Sequence, residues 1–100
     1  MRFLLEYGLT NDEIEEIKNN NQESIIKNID INKDNVIRVI NYLKEIGVNS
    51  NVIKDLFVYQ IGMFFRTKEE IQGVFDEYEM DSILKSMNYD VNTVDLIEFS

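Results

Sequence analysis

Leu4-Leu5-Glu6-Tyr7-Gly8-Leu9, with Ile14 and Ile17 behind it, returns at an offset of 39 as Leu43-Lys44-Glu45-Ile46-Gly47-Val48, with Ile53 and Leu56 behind it. The same offset carries Ile25-Ile26 onto Phe64-Phe65. Each copy reads as a helix end: Gly accepts the left-handed conformation that closes a helix, and the aliphatic residue after it turns back into the core. A fixed period of about 40 residues marks helical hairpins stacked on one another. The expectation is an all-α chain.

Outward from these two turns the same logic assigns further helices. Thr10 to Glu13 has the spacing of a capping box and opens a helix over 11–19 with Ile14 and Ile17 inward and four carboxylates in its first turns. Asn19-Asn20-Asn21 ends it, and a short helix carrying Ile25 and Ile26 follows. Val36, Val39, Ile40 and Leu43 form one apolar stripe on a helix over 33–46, widened by Ile37, Tyr42 and Ile46. Asn49 or Ser50 caps the next helix, which runs to about 58. The apolar stretch from Tyr59 to Phe65 is too long for one helical face and is expected to be buried on several sides. Thr67 to Glu70 repeats the capping-box spacing, and Ile71, Val74, Phe75 and Tyr78 repeat the stripe of Val36 to Leu43 at an offset of 35. Asp81 is read as the cap of a helix through 87, and Asn92 or Thr93 as the cap of a last one through 99. No stretch alternates in polarity, so no sheet is expected.

The 100 residues suit a single domain, with repeat units over about 4–46 and 43–78 and a degenerate unit over 79–100. Apolar residues at 44% place the chain among globular proteins. Cys is absent, which excludes disulfides and thiolate metal sites; with no secretory leader read at the start, the expected compartment is the reducing cytoplasm. No apolar run approaches the roughly 20 residues a membrane span requires. The 19 acidic and 10 basic residues give a net charge of −9, and the second half is the more acidic. That field repels a phosphate backbone and suits a solvated surface or a basic protein partner.

Few side chains point to chemistry. His is absent, so the usual base for an activated nucleophile is missing, and the carboxylates fall at helix starts and on exposed faces. The glycines lie singly at 8, 47, 62 and 73, which gives no phosphate-cradling loop. Asp30, Asn32 and Asp34 match positions 1, 3 and 5 of a Ca²⁺ loop, but Asn35 stands where the loop needs Gly and Asn41 where it needs a bidentate Glu. No metal, cofactor or catalytic residue is assigned. A basic binding groove would draw on Arg38, Lys44, Arg66 and Lys68. The acids Asp76, Glu77, Glu79 and Asp81 are the candidates for contact with a protein.

The unit Leu-x-x-x-Gly-[Leu/Val], then an Ile five or six residues on, an aliphatic three later, a short second helix and another Leu-x-x-x-Gly, resembles the repeat of mitochondrial transcription termination factor (mTERF-like) proteins. The resemblance covers 4–46 and 43–78, with 75–87 as a degenerate third start. It implies a short α-solenoid of helix triplets, seven to nine helices in all, curved so that one face binds duplex nucleic acid. Two departures bear on that ligand: the family's Pro near the start of the short helix is missing, and its basic groove is replaced here by an acidic chain. Scaffold and ligand are separable. The expected function is therefore a non-enzymatic module that binds a protein partner through one face, with nucleic-acid binding through Arg38, Lys44, Arg66 and Lys68 as the alternative.

Overall fold

The two Gly turns adopt one conformation. Gly8 has φ 94° and Gly47 φ 105°, and at each the following residue donates back five positions, Leu9 N–H to the Leu4 carbonyl and Val48 N–H to the Leu43 carbonyl. Leu4, Leu9, Leu43 and Val48 are all buried as a consequence.

A computed structural model describes residues 1–96, which contain six α-helices and three 3₁₀ segments and no strand. After a 3₁₀ segment at Arg2–Tyr7 come α1 (Asn11–Asn20), α2 (Glu23–Ile31), α3 (Lys33–Glu45) and α4 (Ser50–Tyr59). A second 3₁₀ segment, Ile61–Phe65, precedes α5 (Lys68–Phe75) and α6 (Met80–Tyr89), and a third occupies Val91–Leu96. The radius of gyration, 12.7 Å, equals the roughly 13 Å expected of a 100-residue globular domain. None of these helices is long and apolar enough to cross a membrane.

Local chemistry explains the helix starts. Thr10 accepts from Glu13 N–H at 3.2 Å while the Glu13 carboxylate accepts from Thr10 N–H at 2.9 Å, the complete capping box. Asn49 accepts from Val52 N–H at 3.0 Å, and Thr67 from Glu70 N–H at 3.1 Å. Each satisfies a helix-end donor that would otherwise need water.

Two helix pairs pack side by side in the same direction. On α1 and α4, Glu16 meets Lys54 at 3.1 Å and, further along both helices, the Asn21 amide donates to the Phe57 carbonyl at 3.0 Å. On α3 and α5, Asn35 donates to the carbonyls of Phe64 and Arg66 just ahead of α5, and seven residues later the Tyr42 ring meets that of Phe75 at 6.4 Å. Both contact series advance together along the chain, so α1 runs parallel to α4 and α3 to α5. The core lies between them: Ile14, Ile17, Ile53 and Leu56 line the first pair, Val36, Val39, Ile40, Ile71 and Phe75 the second. Phe57 and Phe64 stack face to face at 3.7 Å, both fully buried.

Several expectations are corrected. The apolar stretch 59–65 is split: α4 stops at Tyr59 and a 3₁₀ segment begins at Ile61, which buries Ile61, Met63 and Phe64 and leaves Tyr59 and Phe65 exposed. A tighter helix with three residues per turn puts Ile61 and Phe64 on one side, so Phe65 turns outward. Tyr78 is 48% exposed because α5 ends at Phe75, one turn short of it. Asp81 is not a cap; α6 begins at Met80, and Asp81 lies in its first turn. In the last segment the side chain that accepts is Asp90, from Asn92 N–H at 2.9 Å, in place of Asn92 or Thr93. The expected end of that helix at 99 lies outside the described residues.

Candidate functional site

Because α3 and α5 lie parallel, their outer edges enclose a groove of about 310 Å³ lined by Arg38, Asn41, Tyr42 and Glu45 from α3 and by Lys68 and Glu69 from α5. Tyr42 forms its floor, 5% exposed. The Lys68 ammonium stands 6.0 Å from the centre of the Tyr42 ring, within reach of its negative face. Burial pushes the Tyr42 phenol above its ordinary pKa, and the negative charges of Asp76 and Glu45 push it further in the same direction. Asp76, which closes α5, therefore acts on the same floor.

The groove is polar along its length. Arg38 lies seven residues before Glu45 on α3, about 10 Å at 1.5 Å per residue. Lys68 opens α5 and Asp76 follows its last residue. Along α3 the cation Arg38 precedes the carboxylate Glu45, whereas on α5 Lys68 and Glu69 stand side by side at the helix start, so the groove carries both signs of charge.

The four cations named from the sequence divide. Arg38 and Lys68 share the groove. Lys44 does not join them: six residues from Arg38 carries it round the helix, and its ammonium donates to the Tyr7 carbonyl at 2.7 Å and lies 5.7 Å from the Tyr7 ring centre. Arg66 pairs with Glu70 at 3.9 Å. Asp76, Glu77, Glu79 and Asp81 are all exposed, on or beside the turn between α5 and α6. Asn41, Tyr42, Glu45 and Glu69 were not singled out as site residues. The signal for them was the paired stripe at an offset of 35, which implied that α3 and α5 are neighbours.

The Ca²⁺-like string is divided between helices. Asp30 lies in α2, where it pairs with the amino group of Met1, Asn32 forms the junction, and Lys33 onward belongs to α3. Among the described residues no three His, Cys, Asp or Glu converge as a metal site.

A second hollow, about 410 Å³, lies between α1 and α2 and is lined by Met1, Lys18, Asn21, Glu23, Ile26, Lys27 and Asp30. Lys18 and Lys27 are each within 3.9 Å of a carboxylate on their own helix, Glu15 and Glu23. No family model, curated protein or solved structure matches the chain.

Proposed function

We infer that the chain is a non-enzymatic interaction module that binds a polypeptide partner in the groove between α3 and α5. The observation that carries this reading is that Arg38 and Lys68 line one groove together with Glu45 and Glu69. A polypeptide supplies both signs of charge together with donors and acceptors for Asn41 and Tyr42, whereas a polyphosphate meets repulsion from the carboxylates. The exposed acids at 76–81 extend the surface toward a partner that is basic there.

The architecture proposed for this module is a short stack of helix triplets, α1-α2-α3, then α4 with the 61–65 segment and α5, then α6 with the 91–96 segment. Support comes from the parallel pairing of corresponding helices, α1 with α4 and α3 with α5, which is how successive repeats stack. Corresponding amides also bridge units: Asn21 reaches Phe57, and Gln60, thirty-nine residues on, reaches Asn92 at 2.8 Å. The mTERF-like reading, nucleic-acid binding included, is favoured only by the convergence of Arg38 and Lys68.

Two measurements test the functional reading together. Labelled duplex DNA and RNA titrated at low salt should show no binding at micromolar protein. A partner captured from native extract should be retained by the parent and lost by Arg38→Glu/Lys68→Glu. Salt-sensitive binding of duplex, with a log-log slope of several units, would instead support the nucleic-acid alternative.

A further inference from the structure

One helical stripe passes through two helices that the fold sets at an angle. Ile25, Ile29, Asn32, Val36, Val39, Leu43 and Ile46 follow one another at alternating steps of four and three, the heptad spacing of a single helix face, and Asn32 alone among them is polar. Yet α2 ends at Ile31 and α3 starts at Lys33, so Asn32 is the whole connection, where helix–helix connections commonly take about 2–8 residues. Asn32 is exposed, while Ile29 and Val36 on either side of it in the stripe are fully buried. Its backbone is already close to helical. Its N–H donates to the Asn28 carbonyl at 2.9 Å and its carbonyl accepts from Val36 N–H at 3.0 Å, both the bonds of an α-helix, and φ −96° with ψ 25° departs from helix chiefly in ψ. No side chain caps the start of α3, in contrast to α1, α4 and α5. A straight helix through Asn32 gives the donors of that first turn the carbonyls of the last turn of α2.

We propose that two copies of this chain exchange residues 1–31, with α2 and α3 joined through Asn32 into one helix over 23–45. The contacts that hold 1–31 to the rest of its own chain are then remade with the second copy. Ile14 and Ile17 join Ile53 and Leu56 in the core, Glu16 meets Lys54, Asn21 reaches the Phe57 carbonyl, and the Lys44 ammonium donates to the Tyr7 carbonyl. A reciprocal exchange reproduces each of these twice, so only the hinge differs between monomer and dimer. A hinge this short favours the exchange, because it has little length with which to turn one helix back from the other. Association costs translational and rotational freedom, so the exchanged form gains on the monomer as concentration rises. The groove lined by Arg38, Asn41, Tyr42, Glu45, Lys68 and Glu69 lies wholly within 33–96, and each exchanged pair therefore carries two of them.

The chain has no Cys, so a thiol can be placed on either side of the exchange. Glu16→Cys and Lys54→Cys are made in separate full-length chains, mixed unfolded, refolded together at high concentration and treated with a short bis-maleimide. The result expected is a dimer by light scattering and a covalent pair of the two chains on a denaturing gel. Asn32→Leu, which completes the stripe at an exposed position, should raise the dimer association constant about tenfold, since two hinges gain helix propensity at once. Gly-Ser-Gly inserted after Asn32 lengthens the hinge and should lower the constant by a similar factor. If circular dichroism shows either variant misfolded, Asn32→Ala replaces the first and Asn32→Gly the second. Monomer alone from both the parent and Asn32→Leu overturns the proposal. A dimer that yields no cross-link between the two single-thiol chains overturns it as well, as does a dimer fraction indifferent to the hinge variants, because either result means that whole copies associate side by side.

Discussion

The side-chain amide of Asn21 donates across 3.0 Å to the backbone carbonyl of Phe57, joining the end of α1 to α4. The same amide also donates to the Ile17 carbonyl of its own helix at 2.9 Å, so one residue both closes α1 and ties it to its neighbour. Asn21→Ala leaves the Phe57 carbonyl without this donor and should destabilise the fold by about 1 kcal/mol, read as a lower urea midpoint at unchanged slope.

Two glycines predict opposite signs. Gly8 has a positive φ, and a Cβ there meets Ser50 Oγ at 3.0 Å, so Gly8→Ala combines left-handed strain with crowding and should destabilise by roughly 1–2 kcal/mol or more. Gly73 lies within α5 and a Cβ there meets nothing within 4 Å, so Gly73→Ala should stabilise by roughly 0.5–1 kcal/mol. Thermal melts of both variants against the parent decide the matter, and equal shifts in one direction would refute the backbone assignment.

Alkali should destabilise the protein from a defined source. Hydrogen bonds donated to Asp55 and then to Glu16 hold the Lys54 ammonium above the ordinary lysine range, and burial, then Asp76 and Glu45, hold the Tyr42 phenol above the ordinary tyrosine value. Both groups keep their protons longer in the folded chain than in the unfolded one. Their contributions are therefore intact below about pH 10 and are lost as pH rises from there through the folded values. Chemical unfolding measured from pH 8 to 12 should show stability falling above pH 10, less steeply in Lys54→Met. In a spectrophotometric titration, the parent minus Tyr42→Phe difference should show a phenolate step displaced to high pH.

Much of the fold was legible because short-range rules dictated it. A Leu four residues before Gly, an aliphatic residue after it and two further aliphatic residues at helical spacing leave little choice, and Leu4, Leu9, Ile14, Ile17, Leu43, Val48, Ile53 and Leu56 are all buried. Thr10 and Thr67 were readable as caps for the same reason, and Asn49 as one of two candidates beside Ser50. What failed depended on where a helix stops. Tyr78 continues the stripe of Ile71 and Phe75 in sequence, but the chain leaves α5 at Asp76, and a stripe has no meaning beyond its helix. The groove was the least legible part. Arg38 and Lys68 could be named as cations, yet Asn41, Tyr42, Glu45 and Glu69 become a site only when α3 and α5 are laid parallel, a tertiary relation that the 35-residue offset hinted at without giving its direction.

Charge reversal separates groove from scaffold. Arg38 and Glu45 are exposed, so Arg38→Glu and Glu45→Arg should each change stability by no more than about 0.5 kcal/mol, while partner retention falls in both. Loss of partner accompanied by an equal loss of stability would mean that the variants act through the fold.

The most direct measurement places a photo-crosslinking side chain at position 41, in the groove, and at position 51, exposed on α4, and irradiates each protein in native extract. A discrete polypeptide adduct at 41, absent at 51 and lost on adding Arg38→Glu/Lys68→Glu, is the predicted result. Nucleic acid joined at 41, or the same adducts from both positions, would contradict the groove as a protein-binding site.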